Sequence, residues 1–89
     1  MIRMFIKHRV ASYGPWKVGY DAFEAHRPAF GVTGKAVYQD AGDPEMVTVT
    51  HDFATLDAAK ALAASDELKQ AMVKAGVVGA PEIWFTHPA

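Results

Sequence analysis

The chain has 89 residues, 51% of them hydrophobic, with nine Lys and Arg against ten Asp and Glu. That length holds one core and predicts a single domain over residues 1–89, and the balanced, dispersed charge argues against a nucleic-acid groove, which needs cations concentrated on one face. The absence of cysteine removes disulfides, thiolate metal sites and a thiol nucleophile. No segment approaches membrane-spanning or signal-peptide length, so a cytoplasmic protein with no membrane partner is expected.

Residues 3–10, RMFIKHRV, alternate with the period of a strand. Met4, Ile6, His8 and Val10 fall on one side; Arg3, Phe5, Lys7 and Arg9 fall on the other, as a solvated or interface face. The break SYGP follows, with Pro15 placed at the first position of a helix, where its missing N–H costs nothing. Trp16, Tyr20, Phe23 and Arg27 then recur at spacings of four, three and four, which lays a stripe on one helix face. Pro28 ends or kinks that helix.

Residues 32–39 and 46–53 read as two strands flanking DAGDPE, a loop rich in turn residues and therefore a hairpin connection. Thr55 and Ser65 are N-cap residues for two helical pieces, the second with Asp66 and Glu67 in its first turn, where the macrodipole favours acids. Lys74 and Gly76 close that helix, and residues 81–87, PEIWFTH, form a last strand.

Strand, helix, strand, strand, helix pair, strand is the order of an α+β ferredoxin-like sandwich, a four-stranded antiparallel sheet with helices on one face. The apolar face under the helices is expected to carry Met4, Ile6, His8, Val10, Ala36, Tyr38, Val47, Val49, His51, Phe53, Ile83 and Phe85. The opposite face, with Phe5, Lys7, Arg9, Lys35, Val37, Thr48, Thr50, Asp52, Glu82 and Trp84, mixes charged and aromatic residues. It suits a sheet-to-sheet contact in a homodimer, with Trp84 as an anchor. A small domain without staples gains from such a contact, since its own core is marginal.

The element order, FIKHRV, the strand ending THDF and SDELKQAMVKAGVVGAPEIWF together resemble the dimeric α+β barrel superfamily, over nearly the whole chain. That superfamily includes antibiotic-biosynthesis monooxygenases, muconolactone isomerase-like proteins, stress-responsive barrel proteins and small bacterial proteins loosely labelled cyclases. The resemblance implies a homodimer whose two sheets pack into a barrel, with a small-molecule pocket between each sheet and its own helices. In the cofactorless monooxygenases of the superfamily the pocket uses tryptophan, tyrosine, asparagine and arginine. This chain has no asparagine, so that chemistry does not transfer residue by residue.

Two histidines fall where the apolar alternation runs. Full antiparallel pairing of the first and third strands would put His8 and His51 about three residue steps apart, roughly 10 Å at about 3.3 Å per residue, which is too far to share a metal ion and implies two sites or none. His8, near Trp16, Tyr20 and Tyr38, is the candidate base: burial lowers an imidazole's pKa and leaves it free to accept a proton from a phenol or acidic C–H. Tyr20 and Tyr38 would orient a substrate oxygen, and Trp16, Phe23 and His51 would line the pocket. The plainer account is a core histidine bonded to a tyrosine hydroxyl or a carbonyl.

His51 is expected near His26 and His87, with Asp21 or Asp52 in the vicinity, but that set lacks metal-ligand spacing, and no metal or cofactor is assigned. GVTGK has the wrong glycine spacing for a phosphate loop, and DAGDPE lacks a calcium loop's ligand spacing. The functional expectation is a small-molecule-binding barrel acting without a cofactor as an isomerase, cyclase or monooxygenase on an aromatic or polyketide-like substrate. The alternative is a non-catalytic, stress-associated or binding module with no open active site.

Overall fold

The computed structural model describes residues 1–89. Strand β1 (Ile2–Val10) leads to helix α1 (Tyr13–Ala22), two 3-10 turns (Phe23–Ala25 and Pro28–Phe30), β2 (Gly34–Asp40), β3 (Asp43–Phe53), α2 (Leu56–Ala63), α3 (Asp66–Lys74) and β4 (Val77–Thr86). The sheet is antiparallel with order β2-β3-β1-β4, and the helices cover one face, which is the ferredoxin-like α+β arrangement. No helix is long and apolar enough to cross a membrane.

Local chemistry sets the helix ends. The Ser65 hydroxyl oxygen accepts from the Leu68 N–H and its O–H donates to the Leu62 carbonyl, so one side chain both starts α3 and closes α2. Thr55 caps α2 by accepting from the Ala58 N–H. Helix α1 begins two residues before Pro15 and stops at Ala22, well ahead of Pro28; the chain then tightens into the 3-10 turns. Gly31, at φ 81°, supplies the left-handed step that ends the second turn.

The core lies between sheet and helices. Met4, Ile6, Val10, Val47, Val49 and Phe53 rise from the sheet to meet Trp16, Phe23, Ala59, Leu62 and Leu68. Helix α1 approaches α3 closely at Gly19, where a Cβ would stand 2.8 Å from the Ala75 Cβ.

Three expectations need correction. The hairpin turn is only Ala41 and Gly42, since Asp43, Pro44 and Glu45 already belong to β3. A register shift between Gln39 and Asp40 then sets the phase of β2, pairing Val37 with Val49 and Tyr38 with Thr48. Because side chains alternate with period two, that one-step change moves the whole strand over. Lys35 and Val37 share the helix face with His51 and Val49, whereas Ala36 and Tyr38 share the open face with Thr50 and Thr48. Tyr38, 58% exposed, is therefore not a neighbour of His8.

The third correction concerns β4, which starts at Val77 rather than at residue 81. Between the pairs Lys7 with Glu82 and Arg9 with Val78, β4 places Gly79, Ala80 and Pro81 opposite the single residue His8. Gly79 adopts φ 76° within this bulge.

Candidate functional site

Two neutral imidazoles mark the ends of one cavity. Strand β1 carries His8 opposite Val47, and β3 carries His51 opposite Met4. The two histidines are thus four residue steps apart along the sheet, roughly 13 Å at about 3.3 Å per step. That exceeds the expected three steps, yet it does not separate them into different sites. Both line a cavity of about 40 Å³, roofed by Trp16 and Tyr20 of α1 and by Leu68 and Met72 of α3.

Aromatic rings run through this layer. His8 meets Trp16 edge-on at 5.6 Å between ring centroids, Trp16 stacks on Tyr20 at 5.2 Å, and Tyr20 lies 6.4 Å from His51. The helical spacing of four between Trp16 and Tyr20 produces this overlap. Phe23 is buried and also lines the cavity.

His8 is 5% exposed, and its Nδ1 is buried without a hydrogen-bond partner. Burial pushes its pKa down, which keeps the ring neutral with a lone pair to offer. Its ring meets no tyrosine hydroxyl, and the one polar contact that opposes the effect of burial is with its own backbone.

His51 is held differently. Arg27 Nε–H donates to His51 Nε2 at 3.1 Å. A guanidinium has no acceptor atom, so Nε2 must be the accepting nitrogen and the ring proton must lie on Nδ1. Burial, then the charges of Arg27 and Lys35, push the His51 pKa down to about 4. His51 Nδ1 is also buried without a partner.

Arg27, to which the sequence alone assigns no role, organises one end of the cavity lining. It is 3% exposed, donates from one terminal nitrogen to Glu24 Oε2 at 3.0 Å and from the other to the Tyr20 carbonyl at 2.7 Å. Its guanidinium carbon lies 4.1 Å above the Tyr20 ring. Glu24 also pairs with Lys35, whose position on the helix face follows from the corrected phase of β2. The one available signal was an arginine closing an otherwise aromatic helical stripe.

The remaining candidates disperse. His26 is exposed and packs against the Phe23 ring, His87 bonds to the terminal backbone, and Asp52 is tied to Arg3 on the open face. No group of three His, Cys, Asp or Glu side chains is arranged to hold a metal ion.

A second groove, of about 340 Å³, lies outside the cavity between α1 and α3. The two share Gly19, Phe23 and Ala71, so these residues form the partition between the cavity and solvent.

Neither a family model nor a curated protein sequence matches this chain. Solved structures do match its fold. A Bordetella bronchiseptica protein provisionally assigned as an antibiotic biosynthesis monooxygenase superposes with a TM-score of 0.84 at 14% identity, covering 99% of this chain and 96% of its own. A Caulobacter crescentus protein with the same provisional assignment gives 0.77 at 19% identity, covering 99% and 89%. A conserved Methanosarcina mazei protein gives 0.77 at 17% identity, covering 99% and 92%. At these identities the shared property is the fold, that of antibiotic-biosynthesis-monooxygenase-like structures.

Proposed function

We propose that this chain is a homodimer in which each subunit binds a small, mostly apolar, aromatic or polyketide-like molecule between its sheet and helices. His8 serves as the base in a cofactor-independent step of isomerase, cyclase or monooxygenase type. The observation that carries this reading is His8 itself, a neutral imidazole with an unpartnered nitrogen on the wall of a cavity. It accepts the proton of a phenol O–H or an acidic C–H, and the electron pair remains on the ligand as phenolate or carbanion. Tyr20 orients the ligand oxygen, and Trp16, Phe23 and His51 shape the space. The names given to structures of the same fold support a small-molecule role.

Tyr38 falls outside this site within one subunit. It belongs to the open face, where exposed Trp84 stacks on Phe5 at 5.2 Å and Arg3 and Arg9 are paired with Asp52 and Asp43. Aromatic surface whose arginines are already paired with carboxylates is suited to burial against a second sheet.

Cavity size supports a second reading. About 40 Å³ is less than the roughly 150 Å³ known to admit benzene. An aromatic ligand must therefore push the partition at Gly19, Phe23 and Ala71 toward the outer groove. A partition that does not yield leaves a non-catalytic, stress-associated or binding module filled by its own Trp16 and Tyr20.

An imidazole NMR titration with a panel of phenols and quinols separates the two. The catalytic reading expects His8 to titrate below about 6.5 and to shift on ligand addition. His8 resonances that ignore every ligand favour the filled module. For any compound that is turned over, His8→Ala should abolish turnover and leave the dimer intact.

A further inference from the structure

The Arg27 end of the cavity carries more donors and more positive charge than the chain itself satisfies. Of the five guanidinium N–H groups, three are engaged, by His51 Nε2, Glu24 Oε2 and the Tyr20 carbonyl. Two remain. His51 adds a third unsatisfied donor, because the proton forced onto Nδ1 meets no acceptor although the residue is 2% exposed. Two cations, Arg27 and Lys35, share the single carboxylate of Glu24. Asp52, the nearest acid along the strand, is occupied by Arg3 on the other face.

Burial makes this imbalance costly and directs it toward a ligand. A buried donor without an acceptor is destabilising, and a buried guanidinium needs its charge matched. The Tyr20 and Phe23 rings lie 4.1 and 5.5 Å from the Arg27 guanidinium carbon. The opposite end, at His8 and Trp16, offers a neutral ring and an apolar wall. The cavity lining is thus asymmetric along its length, with Arg27 and His51 at one end of a largely apolar wall and His8 and Trp16 at the other.

We infer that the ligand is a small organic acid whose carboxylate is received by the spare N–H groups of Arg27, with its apolar body directed toward Trp16 and His8. This rests on the reading of the cavity as a ligand site and narrows it to one substrate class. A planar carboxylate suits the guanidinium fork, and its two oxygens match the two N–H groups left over on Arg27. Glu24 competes for the same guanidinium, so it weakens acid binding by neutralising part of the charge.

The test uses two matched pairs, acetate with acetamide and benzoate with benzamide, added to the protein at pH 7. The readout is the ¹⁵N resonances of the His51 ring and of Arg27 Nε, which report the buried site and not surface ion binding. The expected result is at least tenfold preference for the acid in one pair or both, and Glu24→Gln raising acid affinity severalfold. Arg27→Met should abolish the preference; Glu24→Gln changes an exposed side chain and carries the test if Arg27→Met fails to fold. Equal affinity for acid and amide overturns the inference and leaves the cavity reading standing. Acetate preference with benzoate refused upholds the inference and removes the aromatic substrate. No response to any of the four compounds overturns both.

Discussion

Arg27 and His51 are joined in the core by a hydrogen bond in which the guanidinium Nε–H donates to the imidazole Nε2 at 3.1 Å. The bond fixes the tautomer of His51 and removes it as a proton acceptor. It leaves His8 as the one cavity imidazole able to act as a base.

Replacing Arg27 with Met should cost about 1 to 3 kcal/mol of stability, because it leaves the buried His51 Nε2 without its donor. The same substitution should move the His51 pKa upward, since the Arg27 charge holds it down. Chemical denaturation and an imidazole titration measure the two effects separately. A stable variant with an unmoved His51 would show that the bond carries neither.

Stability should depend on pH in a defined window. His51 has a folded pKa of about 4, below the unfolded value of 6.5, so the unfolded state binds the extra proton first as pH falls. The stabilisation is therefore complete above about pH 7 and is lost progressively toward pH 4. His8, shifted in the same direction, adds to the trend. Between pH 7 and pH 5 the His51 contribution alone is about 2 kcal/mol. Urea unfolding at pH 7, 6 and 5 should show this decline, and His51→Gln should reduce its slope; a flat profile would contradict the buried neutral state.

Gly19→Ala should destabilise despite the higher helix propensity of alanine. The added Cβ would meet that of Ala75 at 2.8 Å and force α1 away from α3. Overpacking of this kind costs about 1 to 3 kcal/mol. Adding Ala75→Gly should recover more than half of the loss, which a thermal-denaturation double-mutant cycle would reveal. Additive losses would place the cost elsewhere.

Trp84→Ala removes a partly exposed anchor from the open face of the sheet and should convert the proposed dimer to monomer at micromolar concentration. Sedimentation velocity measures the change. A wild-type chain that is already monomeric would remove the sheet-to-sheet interface from the account.

Strand alternation and capping chemistry carried most of the fold into view. The FIKHRV alternation, the caps Thr55 and Ser65 and the order of elements were all readable, because each rests on local spacing. The phase of β2 was not. It depends on whether Asp43, Pro44 and Glu45 belong to the turn or the strand, and a composition rich in turn residues gives no local sign of the latter. That one boundary misassigned Tyr38 and hid Lys35 from the site. Arg27 escaped for another reason: its burial depends on 3-10 turns that fold it beneath Tyr20, a tertiary arrangement that helical spacing alone does not specify.

The bulge at Gly79, Ala80 and Pro81 also bears on how the sheet meets other chains. Strand β4 lies at the border of the sheet, where unpaired backbone groups invite uncontrolled growth by strand addition. Here the outward row is interrupted by a kink and by a proline with no N–H to donate, so an incoming strand finds no continuous ladder to extend. The irregularity opposite His8 is therefore also a guard against aggregation along that border.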